Sequence, residues 1–94
     1  MEIVDLIITP EILDKLIWKH TVFEAEVRQI FLDAPRYRFI EKGRYQGEHL
    51  YLALGTTESG RYLSIYFVYK KTKEALIVTA RDMTENERKR YAKK

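Results

Sequence analysis

The sequence contains no cysteine, which excludes a disulfide framework and any thiolate-bound zinc, and makes a reducing compartment the simplest setting. Proline occurs twice and glycine four times, too few for a linker or a low-complexity tract, and no internal repeat is visible. No apolar stretch approaches the roughly 18 residues that a membrane span needs, and no signal-like segment opens the chain, so a cytoplasmic protein is expected. Glycine-rich phosphate loops and a G-x-S-x-G elbow are also missing. The two histidines, His20 and His49, fall in no zinc-like spacing and the acids do not cluster, so neither a metal nor another cofactor is expected.

What is present fits one small domain spanning residues 1–94, near the size at which a single core is adequate and stability modest. The net charge of +3 is unevenly placed: residues 1–33 sum to −4 and the remainder to +7. Segregation of this kind favours a polyanionic or acidic partner for the C-terminal two-thirds.

Taken in order, Ile3 to Ile8 is a short β-branched apolar run and reads as a strand ended by Pro10. Thr9 is placed to cap a helix from about Pro10 to Lys19, with Leu13, Leu16 and Ile17 as its buried stripe. Thr21 and Glu24 have capping-box spacing, so the chain is expected to break at His20-Thr21 and restart as a second helix. Phe23, Val27, Ile30 and Phe31 form that helix's core stripe, and Asp33-Ala34-Pro35 closes it. From Arg36 the apolar period becomes two, giving four strands joined by polar turns at residues 42–44, 59–60 and 70–73. The last, Leu76 to Arg81, is expected to place Ile77, Thr79 and Arg81 on one face and Leu76, Val78 and Ala80 on the other. Thr84 and Glu87 then form a second capping box for a short helix, Glu85 to Tyr91, carrying Arg88, Lys89 and Arg90. The fold class is therefore α+β: an N-terminal strand and two helices, a four-stranded antiparallel meander and a C-terminal helix. Two amphipathic helices would cover one sheet face, leaving the other open for Tyr62, Tyr66, Arg36, Arg38 and Arg81.

The run Thr79-Ala80-Arg81-Asp82-Met83-Thr84-x-x-Glu87-Arg88-x-x-Tyr91 resembles the C-terminal signature of the BrnT-type toxins of bacterial toxin–antitoxin systems. Lys19-His20 followed by Val22-Phe23-Glu24, then Phe31-x-Asp33, Gly47-Glu48, Leu54-Gly55 and Gly60-Arg61, is similar to further segments of that family in the same order. The resemblance implies a two-layer, RelE-like ribonuclease fold, RNA cleavage that arrests translation, and a cognate antitoxin with a ribbon-helix-helix DNA-binding domain. Two positions depart from the pattern. Thr21 stands where the family has glycine, and Leu50 where it has an arginine, so that either His49 next to it substitutes for that arginine or activity is weakened.

Arginine, lysine, histidine and tyrosine side chains are the repertoire for holding a phosphodiester and stabilising the charge that develops as it breaks. Lys19 and His20 at the helix junction suit proton transfer, or else cap the first helix and complement its dipole. Arg81, ending an apolar strand, either points into a site or pairs with Glu87 or Glu48; Arg61 either contacts phosphate or is a solvated turn residue. Tyr91 completes the catalytic candidates or merely anchors the last helix. Arg36, Arg38, His49, Arg88 and Lys89 are the candidates for holding RNA. A non-catalytic module that keeps the fold and binds protein or nucleic acid is the alternative. Truncating Arg81 is expected to remove little from the core and leave the fold intact.

Overall fold

In the computed structural model, which describes residues 1–45 and 47–93, the expected order of elements is observed: β1 (Asp5–Ile7), α1 (Pro10–His20), α2 (Glu24–Leu32), β2 (Arg36–Glu41), β3 (Leu50–Thr56), β4 (Tyr62–Tyr69), β5 (Glu74–Asp82) and α3 (Glu85–Ala92). The sheet order is β1-β5-β4-β3-β2. Strands β2 to β5 form the antiparallel meander. β1 joins in parallel at the β5 edge, pairing Asp5 with Glu74 and Ile7 with Leu76, so the sheet is mixed.

Helix α1 lies over β5 and α2 over β3. Leu16, Val22, Val27 and Ile30 from this helical layer bury against Ala53, Leu63, Ile65, Phe67, Ala75, Ile77 and Ala80 of the sheet. Thr9 caps α1, its hydroxyl accepting the Ile12 N–H at 3.3 Å. The buried stripe of α1 differs from expectation: Ile17 is 38% exposed, while Ile12 packs on the core instead. Phe23 also lies half outside the core, because it precedes α2 as its cap residue rather than belonging to the helix.

The start of α2 is a second correction. Glu26, not Glu24, reaches back to the free backbone N–H of Phe23 at 3.1 Å. Glu24 instead pairs with Arg28 at 2.8 Å along the helix. Thr21 ends α1 in the left-handed conformation, φ 53°, its N–H reaching Ile17 O at 3.1 Å. It is therefore a C-terminal cap and cannot open a capping box.

Two further differences concern the sheet faces. In β5 the register slips between its pairs with Tyr66 and Phe67, leaving Val78 as a bulge. The extra residue reverses the alternation, so Ile77 faces the helices while Thr79 and Arg81 face away. In β3, Tyr51 and Ala53 meet the helical layer, and Leu52 and Leu54 point to the opposite face. There, with Met83, they form a smaller cluster against Tyr62, Tyr66 and Tyr91. That face is not open; α3 crosses part of it.

The left-handed Thr21 carries a testable consequence. An L-residue in this region costs about 1–2 kcal/mol, most for β-branched side chains, and glycine avoids it at some expense in unfolded-state entropy. Thr21→Gly should stabilise the protein by about 0.5–1 kcal/mol, a rise in melting temperature of several degrees. A lower melting temperature would show that the threonine side chain contributes more than its strain costs.

Candidate active site

The β3–β4 turn determines where Arg61 points. Thr57 N–H binds Arg61 O at 2.9 Å, and Gly60 N–H binds Thr57 O at 2.9 Å. Gly60 takes φ +90°, which glycine tolerates without strain. Arg61 is thereby directed at the α1–α2 junction. Its Nε and Nη2 donate to the Asp82 carboxylate at 2.7 and 3.3 Å. Nη1 donates to Thr21 O at 2.6 Å and Glu26 Oε1 at 3.0 Å, and Nη2 also to His20 O at 2.9 Å. A guanidinium has five N–H groups, and these contacts engage all of them. The Arg61 hydrogen bond holds the Asp82 carboxyl below its ordinary range, and the nearby charge of His20 adds to the effect. His20 is itself half-buried and Lys19 is exposed.

On the other face, the second capping box forms as the spacing predicts: Thr84 Oγ1 accepts Glu87 N–H at 3.2 Å and Glu87 Oε1 accepts Thr84 N–H at 2.9 Å. The same carboxylate accepts Arg81 Nη1 at 2.7 Å and Nη2 at 3.0 Å, and the Ser64 hydroxyl at 2.8 Å. Its side chain is only 14% exposed. Burial alone would raise the Glu87 carboxyl, but the donors, Arg81 foremost, outweigh it and hold it at about 2. Arg81 also reaches the Tyr66 hydroxyl at 3.4 Å and lies 5.7 Å from that ring. Truncating Arg81 would leave this largely buried carboxylate without its main partner, so the variant is expected to lose stability as well as a site charge.

Around α3 the remaining candidates assemble. Arg88 stacks over Tyr62 at 4.3 Å. Tyr62 meets Tyr91 edge-on at 6.0 Å, and the Tyr91 hydroxyl accepts the Thr56 hydroxyl at 3.3 Å. Arg36 donates to Tyr91 O at 3.0 Å and to Lys93 O. It thus satisfies free carbonyls at the end of α3 and complements the negative end of its dipole. A cleft of about 540 Å³ opens between Ala34, Arg36, Tyr62, Tyr91 and Ala92. Lys89 approaches Glu85 at 3.9 Å with both side chains well exposed, a pair worth little. Arg38 is exposed on β2, on the same face as Arg36, opposite Leu52.

Register shows which candidates are neighbours. Thr56 pairs with Tyr62 and Leu63 with Asp82, so the ends of β3 and β5 and the start of β4 are level. Lys19, His20, Arg61, Arg81, Tyr91, Arg36 and Arg88 gather around this end of the sheet, on its two faces. His49 does not. It precedes Leu50 at the other end of β3, about 20 Å away along the strand, and its Nδ1 accepts the Gly43 N–H at 2.9 Å. Sequence reasoning missed Glu26, Ser64 and Asp82 as partners. Only Glu87 carried a signal, its capping-box spacing. Among the described residues no three His, Asp or Glu side chains cluster as a metal site would require, and no helix is long and apolar enough to cross a membrane.

The two-layer α+β fold, with arginines and tyrosines gathered at one sheet end beneath a basic helix, defines a small protein equipped to handle a polyanion. Residues 13–87 match the family model described as ribonuclease toxin, BrnT, of type II toxin-antitoxin system. The chain belongs to this family of ribonuclease toxins, which implies an RNA substrate and an antitoxin partner. Arg88, Lys89 and Tyr91 lie beyond the matched residues. No curated protein matches the chain.

The Glu87 clamp predicts a pH signature. Because its folded carboxyl titrates at about 2 instead of 4.5, its contribution is complete above about 4.5 and disappears as pH falls towards 2. The contribution is on the order of 2–3 kcal/mol. Glu87→Gln should be less stable than wild type at pH 7, with the gap closing between pH 4.5 and 2. Denaturant melts across that range measure it, and a gap independent of pH would contradict the assignment.

Proposed function

We propose that this toxin is a cytoplasmic, single-domain endoribonuclease, residues 1–94, that cleaves RNA without a metal ion and so inhibits translation. In this reaction the 2′-oxygen attacks the adjacent phosphorus, the bond to the 5′-oxygen breaks, and a 2′,3′-cyclic phosphate and a 5′-hydroxyl result. The observation that carries the reading is that His20, on the helical side, and Arg81 and Tyr91, on the α3 side, lie around the same end of the sheet. His20, with Lys19 beside it, takes the 2′-proton. Arg81, its Nη1 and Nη2 held by Glu87, lends its charge to the phosphorane through Nε, while Arg61, with all its donors committed, acts as a positioning residue by gripping the backbone of His20 and Thr21. Tyr91 accepts a hydrogen bond from Thr56, which leaves its own proton free for the leaving oxygen. Arg36, Arg38, Arg88 and Lys89 supply the basic surface along which RNA lies. The cognate antitoxin is proposed to join a ribbon-helix-helix DNA-binding domain to a segment that covers α3.

The commitment of Arg61 and Arg81 to carboxylates favours a second reading, a binding module that keeps the toxin fold without the chemistry. Cleavage of one RNA by purified protein, with and without EDTA and with mass analysis of the ends, separates the two. Wild type should release cyclic-phosphate ends in EDTA. His20→Ala should lower the rate by about a hundredfold or more and leave the melting temperature unchanged, since Arg61 holds the His20 carbonyl and not its ring. Absence of cleavage supports the binding module, and abolition by EDTA removes the metal-free mechanism.

A further inference from the structure

At the end of the sheet remote from these residues, Gly47 and His49, ahead of β3, lie beside the β4–β5 turn and border an open cleft of about 460 Å³, within the roughly 300–1,000 Å³ typical of ligand sites. The close approach depends on Gly47, whose φ is +84° and whose Cβ, if present, would fall 2.9 Å from Lys71 Cγ. The turn is held by Lys70 N–H to Glu74 O and Lys73 N–H to Lys70 O, both 2.9 Å, and it projects Lys70 and Lys71 at the cleft. Among the described residues neither lysine has a carboxylate within ion-pair distance. Two acids of the flanking segments are engaged elsewhere: Glu74 accepts the Thr72 hydroxyl at 2.7 Å and Glu48 accepts the Tyr45 N–H at 3.1 Å. Lys73 is paired with Glu2 at 2.8 Å, so it contributes less net charge.

The other walls are aromatic. Tyr51 and Tyr69 meet edge to face at 6.1 Å, and Tyr51 is stacked on the buried Phe67 at 5.9 Å, which makes a fixed corner of two rings. His49 completes the lining. Because its Nδ1 accepts the Gly43 N–H, Nε2 carries the remaining proton and is a donor. Unpaired lysines, one imidazole donor and an aromatic corner form a combination that grips phosphate while a base lies against a ring.

We propose that this cleft is a second RNA-binding site, an exosite in which Lys70 and Lys71 hold backbone phosphates, His49 Nε2 donates to a phosphate or base, and one base rests on Tyr51 and Tyr69. The proposal rests on RNA being the substrate, and it does not depend on which residues cleave. The test is fluorescence anisotropy with a labelled 2′-O-methyl oligoribonucleotide of about 12 nucleotides, which has no 2′-hydroxyl to attack, over a series of salt concentrations. Lys70→Gln/Lys71→Gln should weaken binding about tenfold at low salt and lower the log–log salt slope by about 1.4, or about 0.7 per lost phosphate contact. Lys15→Gln, which removes one charge from the exposed side of α1, should leave the slope unchanged. An unchanged affinity in the double variant, with melts showing it folded, overturns the proposal. An equal loss per charge in Lys15→Gln does so too, since the effect would then be general electrostatics. A double variant that keeps RNA affinity but no longer co-elutes with the antitoxin assigns the cleft to an acidic protein segment instead. Gel analysis of the probe after each titration shows that it stays intact, so that failure of the catalytic assignment leaves these outcomes untouched.

Discussion

The Arg61 guanidinium is the contact on which the arrangement depends. It occupies the corner where α1 stops, α2 starts and β5 ends, and it bonds to all three. The break between the helices turns two carbonyls, those of His20 and Thr21, away from helical partners, and such groups are costly to bury unpaired. A planar donor fork can satisfy both and still reach two carboxylates; an ammonium could not. Shared between Glu26, Asp82 and two carbonyls, Arg61 has no donor left for a phosphate. It therefore serves better as an anchor than as a phosphate cradle.

Helix α3 shows the opposite economy of contacts. None of its residues is fully buried, and it is attached chiefly by polar and aromatic contacts: Arg81 and Ser64 on Glu87, Arg36 on its last carbonyls, Arg88 and Tyr91 on Tyr62. A helix of this length is not stable alone, so these contacts decide whether it forms. They also close the small cluster of Leu52, Leu54 and Met83, which would otherwise lie open to water. The sheet is thus covered twice, by hydrophobic packing on one side and by charge on the other.

What the sequence made legible followed the range of each interaction. The order of elements, the Thr9 cap and the Thr84–Glu87 box depend on neighbours within four residues and were readable. Thr21 and Glu24 had the same spacing but lost to the left-handed turn that Arg61 holds from forty residues away. The faces of β5 were misassigned because a single bulge at Val78 inverts the period, and nothing in the composition of Leu76 to Ala80 marks it. In β3, Leu52, Ala53 and Leu54 are all buried, and a strand buried on both faces has no clean alternation to read. At the site, the residue types were legible and their commitments were not, since Arg61 and Arg81 look alike in sequence whether they face solvent or carboxylates.

The parallel pairing of β1 with β5 bears on how the toxin is made. Asp5 has no strand to join until Glu74 has left the ribosome, and His20 lacks its Asp82 neighbour until slightly later. Pairing of such remote segments is slow because a long loop must close before any contact rewards it. Synthesis at about 5–20 residues per second therefore delivers most of the chain before the sheet can close. The corner that joins helices to sheet cannot form before Asp82 has emerged, so shorter nascent chains lack both the β1–β5 pairing and the Arg61 contacts that tie the helices to the sheet.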